Sequence, residues 1–282
     1  MPRSTDISPL SKVLARADAV ADGAQPPDAI ATGFPSLDRM LGGGMRAGDL
    51  VVLGGDVGSG KSALALAIAM RVASRKCRVT FFSGEMSTER LLERALAIEG
   101  RVRVDDLRQG VRNDHARASV GAAAVRMREV VPQLETLGSG GVADLADRID
   151  GAGNDLVVVD SLQCLVLGTR DIDEELAEAV RRLKSAALEQ HLAILVTAQL
   201  PHLRARDDRR PQLDDFGALG AVKHHADIVL ALFREDMYDR RREIEGATEL
   251  LVRKNRNGAT GYVDLYFYAQ WLRFEDMLDP DR

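Results

Sequence analysis

The sequence predicts an α/β domain built on a twisted, mainly parallel sheet flanked by helices, and three observations carry that expectation. Short β-rich apolar runs recur at Leu50–Leu53, Val79–Phe82, Leu156–Val159, Ile194–Val196, Ile228–Leu232, Leu250–Val252 and Val263–Phe267. Helical patterns separate the earlier runs, the signature of strand–helix–strand units with crossovers. A glycine-rich turn, Gly55-Asp-Val-Gly-Ser-Gly60-Lys61-Ser62, follows one of these strands and opens a helix.

In chain order, residues 1–8 are polar, and Pro9 then opens a stretch with Leu10, Val13, Leu14 and Ala17 at helical spacing. That spacing makes one apolar helix face. A helix this short is marginal alone and must pack on its own domain or on another surface. Gly23–Ala31, with Pro26-Pro27, reads as a linker, so residues 1–31 form a tail and linker helix, 32–276 the main domain and 277–282 a short tail. The helix after Gly60 is apolar nearly all round (Ala63, Leu64, Ala65, Leu66, Ala67, Ile68) and should be buried. Gly138–Gly141 reads as a loop. Over 173–190, Leu176, Val180, Leu183 and Ala187 share one helix face, with Glu178 and Arg182 paired at i, i+4 on another. The last three apolar runs follow each other closely, which predicts an antiparallel end to the sheet, with a tight turn at Asn257-Gly258.

Composition narrows the class. The 282 residues are 45% hydrophobic and 29% charged, ordinary globular usage that excludes a wholly disordered chain. The longest apolar run, Ala63–Met70, ends at Arg71, far short of the about 20 residues of a membrane span. The first residues lack the apolar core of a secretory signal. Cys77 and Cys164 stand far apart without metal-ligand spacing, so reduced thiols in a cytoplasmic protein are expected. A net charge of −5 excludes a broadly basic nucleic-acid coat but leaves room for a locally basic channel.

The glycine-rich turn fits G-x-x-x-x-G-K-[ST] without a mismatch, in the strand–loop–helix setting that marks a phosphate loop. Glycines let backbone N–H groups converge on phosphate oxygens, and the helix N-terminus adds partial positive charge. Gly55, Gly58, Ser59, Gly60, Lys61, Ser62 and Ala63 are therefore candidate nucleotide contacts, with Lys61 at the β- and γ-phosphates and the Ser62 hydroxyl on Mg²⁺. Asp160 ends the apolar strand Leu156–Val159 and suits the same metal, although aspartates also cap ordinary turns. Glu85 follows the strand Val79–Ser83 at the edge that faces the ligand crevice of a parallel sheet. It fits a general base, the plainer alternative being an acid near the start of a helix around Ser87. Gln199 ends another strand, where an uncharged donor can sense a γ-phosphate or be a plain loop residue.

The order of these segments resembles the RecA-like motor of DnaB-family replicative helicases. The resemblance rests on Thr32–Asp38, the phosphate loop, Phe82-Ser-Gly-Glu85-Met86, Leu107–Gly110, Val159-Asp160-Ser-Leu-Gln163 and Thr197-Ala-Gln199-Leu200. It continues through Arg210-Pro211, Ala226-Asp227, Phe233–Tyr238, Lys254-Asn-Arg256-Asn-Gly258 and Trp271–Phe274, nearly the whole chain in the family's order. It implies a RecA-like P-loop NTPase core binding ATP and Mg²⁺, with Lys61 and Ser62 at the nucleotide, Asp160 at the metal, Glu85 as base and Gln199 as γ-phosphate link. It adds Arg94 as a nucleotide contact, and Lys254 and Arg256 as finger residues reaching a neighbouring subunit's γ-phosphate. As i and i+2 on a strand, the last two share a face, in a hairpin whose tip projects from its sheet; a solvated basic hairpin is the plainer reading. Pro9–Asp22 resembles the linker helix that docks on the adjacent protomer.

Three features depart from the family pattern. The sequence opens on the segment that resembles the linker, so the family's N-terminal collar domain that contacts primase is expected to be missing. The phosphate loop is glycine-richer than usual and, with Leu41-Gly-Gly-Gly44, looks like the RadA and KaiC branches. The channel loop, roughly Asp-Leu-Arg-Glu-Ser-Gly in the family, is Asp215-Phe216-Gly217-Ala218-Leu219-Gly220 here. Candidate DNA contacts are then the backbone of Gly217, Ala218 and Gly220 and the basic side chains Arg204, Arg206 and Arg209 just before it, which equally fit a solvated loop whose charges cancel. The resemblance implies an ATP-hydrolysing DNA helicase motor in DNA replication, moving 5′–3′ on single-stranded DNA. Its sites would lie between protomers of a ring-shaped homo-hexamer, with loader or other replication proteins as partners. The alternatives are a RadA- or KaiC-like ATPase in recombination, repair or signalling without unwinding, and a non-catalytic assembly partner, which intact Lys61, Glu85 and Asp160 argue against.

Overall fold

A computed structural model describes residues 9–23, 26, 28–110, 113–128, 131–200, 206–239 and 244–277. The expectations for residues 1–8 and for 278–282 lie outside them. The chain opens on α1 (Pro9–Ala21), as the apolar spacing predicts, but Leu10, Val13 and Leu14 remain about half exposed or more. Their stripe is not part of the domain's own core. A two-stranded ribbon, β1 (Ala29–Ile30) with β2 (Met45–Arg46), encloses α2 (Pro35–Met40), where Pro35 takes the first-turn position its missing N–H favours.

The central sheet is nine-stranded. Its strands are β3 (Leu50–Gly55), β4 (Val79–Ser83), β5 (Gln133–Thr136), β6 (Leu156–Asp160), β7 (Ala193–Gln199), β8 (Ile228–Phe233), β9 (Ala247–Asn255), β10 (Gly261–Tyr268) and β11 (Arg273–Asp276). They lie in the order β11-β10-β9-β8-β3-β7-β6-β4-β5. From β8 to β5 every neighbouring pair is parallel, and β8, β9, β10 and β11 pair antiparallel, so both halves of the expected sheet are present.

Side-chain alternation along these strands builds two cores. Val51 and Leu53 face one layer with α3 (Lys61–Ala73), α4 (Thr88–Gly100) and the end of α6 (Asp114–Met127), while Leu50 and Val52 face α7 (Gly141–Ile149), α8 (Ile172–Glu189) and α9 (Ala221–His225). The short α5 (Val104–Gln109) buries no residue and rests beside α4. Leu64, Leu66 and Ile68 of α3 are fully enclosed, each worth about 1.5–3 kcal/mol against exposure, as its all-round apolar pattern predicts.

Two strands of this sheet do not show in the apolar pattern, and both are its edges. β5 (Gln-Leu-Glu-Thr) is partly exposed, and β11 (Arg-Phe-Glu-Asp) carries acids whose burial is compensated: Asp276 accepts from Ser36 N and Oγ at 2.6 and 2.8 Å, and Glu275 pairs with Arg71 at 3.1 Å. The β9–β10 connection turns one residue earlier than expected, with Gly258 N donating to Asn255 O at 3.5 Å. It runs over residues 256–260, Gly258 does not take a positive φ, and the Asn255 side chain brackets the loop by accepting from Asn257 N and donating to Ala259 O. Asn255 also donates to Met40 O, so the tip lies against α2 instead of projecting freely. On the far face, the loop after β6 is held by Glu175 of α8, whose carboxylate accepts from the N–H groups of Leu167, Gly168, Thr169 and Arg170 and from the Thr169 hydroxyl.

Candidate active site

Parallel strands deliver their last residues to one edge, where ligands of open α/β sheets bind. β3 brings the phosphate loop, β4 leads to Glu85, β6 ends in Asp160 and β7 ends in Gln199. Together with Arg94 from α4 they line one cleft of about 430 Å³, within the range of small-molecule sites.

The loop geometry depends on glycine at Gly58 and Gly60, with φ of 81° and 104°. At Gly60, the residue capping α3, a Cβ would also stand 2.8 Å from the Phe274 ring. Gly55 leaves room for the Ser59 hydroxyl, which is buried without a partner among the described residues. Lys61 donates to Asp56 O at 2.8 Å, so its ammonium folds back over the cradle. Burial pushes the Lys61 pKa down, opposed by Asp160, Glu85 and Asp56. Ala63 is buried in the first turn of α3 behind it.

Asp160 is the site's buried acid. Its Oδ1 accepts from Ser62 Oγ at 3.1 Å and Thr197 Oγ1 at 2.5 Å. Its Oδ2 is buried with no partner among the described residues. Burial raises this carboxyl's pKa, and those two hydroxyls counter it. An unpartnered carboxylate oxygen beside a serine hydroxyl is the oxygen donor set that Mg²⁺ takes, so the residues present fit that ion.

Glu85 stands across the cleft. Its Oε1 accepts from Ser161 Oγ at 2.9 Å and from Gln199 Nε2 at 3.0 Å. Gln199 is itself clamped, because the Gln163 side-chain amide donates to its carbonyl and accepts its N–H, both at 3.2 Å. Gln199 and Glu85 are thus joined, which neither residue's sequence setting revealed. Burial lowers the Arg94 pKa while Asp160 and Glu85 face it.

Sequence reasoning missed the far end of the cleft. Arg234, Phe267, Ala269 and Leu272 line it, with the Arg234 guanidinium 4.6 Å over the Phe267 ring and paired to Asp236 at 2.7 Å. One signal was available for Arg234: it directly follows the apolar strand β8, as Gln199 and Asp160 end theirs.

Lys254 and Arg256 are not in this cleft. Lys254 donates to the carbonyls of Lys223 (2.8 Å) and Ala226, and Arg256 pairs with Asp227 at 2.9 Å. Asp227 in turn accepts from the N–H of Leu50, the first residue of β3. The pair therefore sits at the opposite end of β3 from the phosphate loop, about 20 Å away at the rise of a strand.

The expected DNA contacts divide. Gly217, Ala218, Leu219 and Gly220 all take positive φ (58°, 52°, 50° and 77°), and Leu219 is 68% exposed. Each non-glycine residue held this way costs about 1–2 kcal/mol. Arg206 is committed to Asp215, with both oxygens at 2.8 Å, and Arg209 lies 5.1 Å over the Tyr238 ring, so both brace the loop. Arg204 lies outside the described residues. Among those residues no helix is long and apolar enough to cross a membrane.

Residues 29–276 match the family described as DnaB-like helicase C terminal domain. The chain is 31% identical over 257 residues to the replicative DNA helicase DnaC of Bacillus subtilis (strain 168), covering 88% of this chain and 56% of that protein. The same figures hold for the replicative DNA helicase DnaB of Geobacillus stearothermophilus, so the chain spans about half the length of these curated relatives. Among solved structures, one described as an ATPase domain superposes with a TM-score of 0.87 at 22% identity, covering 96% of this chain and 99% of that one. A DnaB-like replicative helicase, described with its interactions with primase, gives 0.84 at 22% identity, covering 98% of this chain and 67% of that one. These likenesses give a RecA-like ATPase fold, and the family match over most of its length makes this chain a member of the DnaB-like helicase C-terminal domain family.

Proposed function

We propose that this chain is the motor of a replicative DNA helicase, hydrolysing ATP at sites shared between protomers of a hexameric ring. One observation carries the reading: the cleft gathers a phosphate loop, a buried carboxylate beside a serine hydroxyl and the joined Glu85–Gln199 pair, while Lys254 and Arg256 stand at the other end of the sheet. Lys254 and Arg256 cannot reach their own cleft, and in this reading they serve a neighbour's.

In this mechanism the loop N–H groups and Lys61 hold the β- and γ-phosphates. A Mg²⁺ ion held by Ser62 and Asp160 would neutralise phosphate charge as it develops. Glu85 takes the proton of the attacking water, oriented by the hydrogen bonds from Ser161 and Gln199. Arg94 and Arg234 bind the nucleotide along the cleft. The neighbour's Lys254 and Arg256 stabilise charge on the transferred phosphoryl. The exposed stripe of α1 packs on the adjacent protomer, and single-stranded DNA runs in the channel against Gly217–Gly220, with loader or other replication proteins as partners. The test is ATP hydrolysis with and without oligo-dT, alongside unwinding of a forked duplex. Strong stimulation and strand separation are expected; hydrolysis indifferent to oligo-dT refutes the DNA motor.

A further inference from the structure

The two ends of α9 meet two different working parts. Its N-terminus continues directly from the left-handed run Gly217–Gly220, with Gly220 as the capping residue. That run is fixed on both sides. Phe216 packs against Gly54, where a Cβ would come within 2.4 Å of its ring, and Ala218, Ala221 and Val222 are buried. Lys223 pairs with Asp214 at 2.8 Å, tying α9 to the turn before the loop.

The C-terminus of α9 holds the distant cations. Carbonyls in the last turn of a helix lack partners of their own and favour positive groups. Here Lys223 O and Ala226 O accept from the Lys254 ammonium, and His224 O accepts from Arg256 Nη2 at 3.4 Å. Arg256 has a second anchor in Asp227, itself fixed by Leu50 N and by Lys184 at 2.6 Å. Among the described residues, the hydrogen bonds of the Lys254 ammonium run only to the carbonyls at the end of α9.

We propose that α9 is a positioning element that couples the channel loop of one protomer to the active site of the next. A DNA strand seated on Gly217–Gly220 shifts α9, and the carbonyls at its far end reset Lys254 and Arg256 over the neighbour's phosphates. Helix shifts of about 1–2 Å suffice to switch such contacts. The inference rests on the trans role given to these two residues above. The competing route runs in cis, through the packing of Phe216 and Leu200 about Gly54 to Gln199 and Glu85, and would act on the protomer's own cleft.

The routes are separated by mixing two variants in one ring. Lys61→Ala protomers keep their fingers but not their phosphate lysine, and Arg256→Ala protomers the reverse. Hydrolysis then arises only where an Arg256→Ala cleft faces a Lys61→Ala finger. Leu219→Glu, which sets a negative charge on the exposed loop tip, is added to one variant or the other, with oligo-dT as the probe. On the finger donor it should cut oligo-dT stimulation at least about fivefold, the lower end of ordinary coupling between sites, and on the cleft donor less than about twofold. Leu219→Asn on the finger donor, uncharged and tolerant of this backbone, should keep the stimulation. Equal losses from both placements, a loss confined to the cleft donor, or a matching loss with Leu219→Asn would overturn the inference. A parent mixture that stays silent despite confirmed co-assembly instead removes the trans reading, and α9 coupling with it.

Discussion

Replacing Glu85 with Gln isolates its chemistry from its geometry. The two groups that orient it, Ser161 Oγ at 2.9 Å and Gln199 Nε2 at 3.0 Å, both donate to the same oxygen, Oε1. A glutamine carbonyl can occupy that position, accept both bonds and fill the same volume. What disappears is a group that accepts the water's proton. Loss of a general base costs about 10²–10⁴-fold, or about 2.7–5.4 kcal/mol at 1.36 kcal/mol per tenfold. In the proposed mechanism phosphate binding falls to Lys61 and the loop, so nucleotide affinity should change little. The assay is single-turnover hydrolysis beside equilibrium titration with a fluorescent ATP analogue. Hydrolysis within about threefold of the parent, far inside that range, refutes Glu85 as the base. Equal collapse of affinity and turnover refutes the division of labour between Glu85 and the loop.

Two further outcomes follow from other contacts. Lys61→Ala should weaken ATP-analogue binding about 10–100-fold, the worth of a hydrogen bond to a charged group, and unchanged affinity by titration counts against the phosphate-loop assignment. Glu175 is a case of acid-side stability: burial opposes its ionisation, but the Thr169 hydroxyl and the N–H groups of Gly168, Arg170 and Leu167 outweigh it and hold its pKa at about 2, below the ordinary 4.5. Because the folded value is depressed, its contribution is full above about pH 4.5 and lost as pH falls toward about 2. The urea midpoints of parent and Glu175→Ala should therefore converge over that window, and a gap independent of pH would refute the role.

How much could be read beforehand follows from where each signal resides. Glu85, Asp160 and Gln199 were legible because each is a polar residue at or just past the end of an apolar strand, and a parallel sheet carries such ends to one edge. Their joining was not legible, since the Gln163 clamp and the shared Oε1 of Glu85 depend on strand order β7-β6-β4. Phe267 and Leu272 come from the antiparallel end, whose return past the phosphate loop no local pattern records. The edge strands β5 and β11 were hidden because an edge need not be apolar. Arg206 and Arg209 fit either a DNA-binding loop or a charge-compensated one, because charge pattern alone does not show that Asp215 and the Tyr238 ring engage them. The separation of Lys254 and Arg256 from their own cleft required knowing which end of β3 each contacts.

That separation is the centre of the account, and one measurement tests it most directly: ATP turnover in an equimolar mixture of Lys61→Ala and Arg256→Ala chains. Each alone should be inactive, since one lacks the phosphate lysine and the other a finger worth about 10³-fold or more. Random assembly joins an intact Lys61 to an intact Arg256 from another chain at about one interface in four, so the mixture should recover up to about a quarter of parental turnover. Mixtures that co-assemble yet stay silent, or an Arg256→Ala chain that alone hydrolyses ATP at the parental rate, would contradict a site shared between protomers.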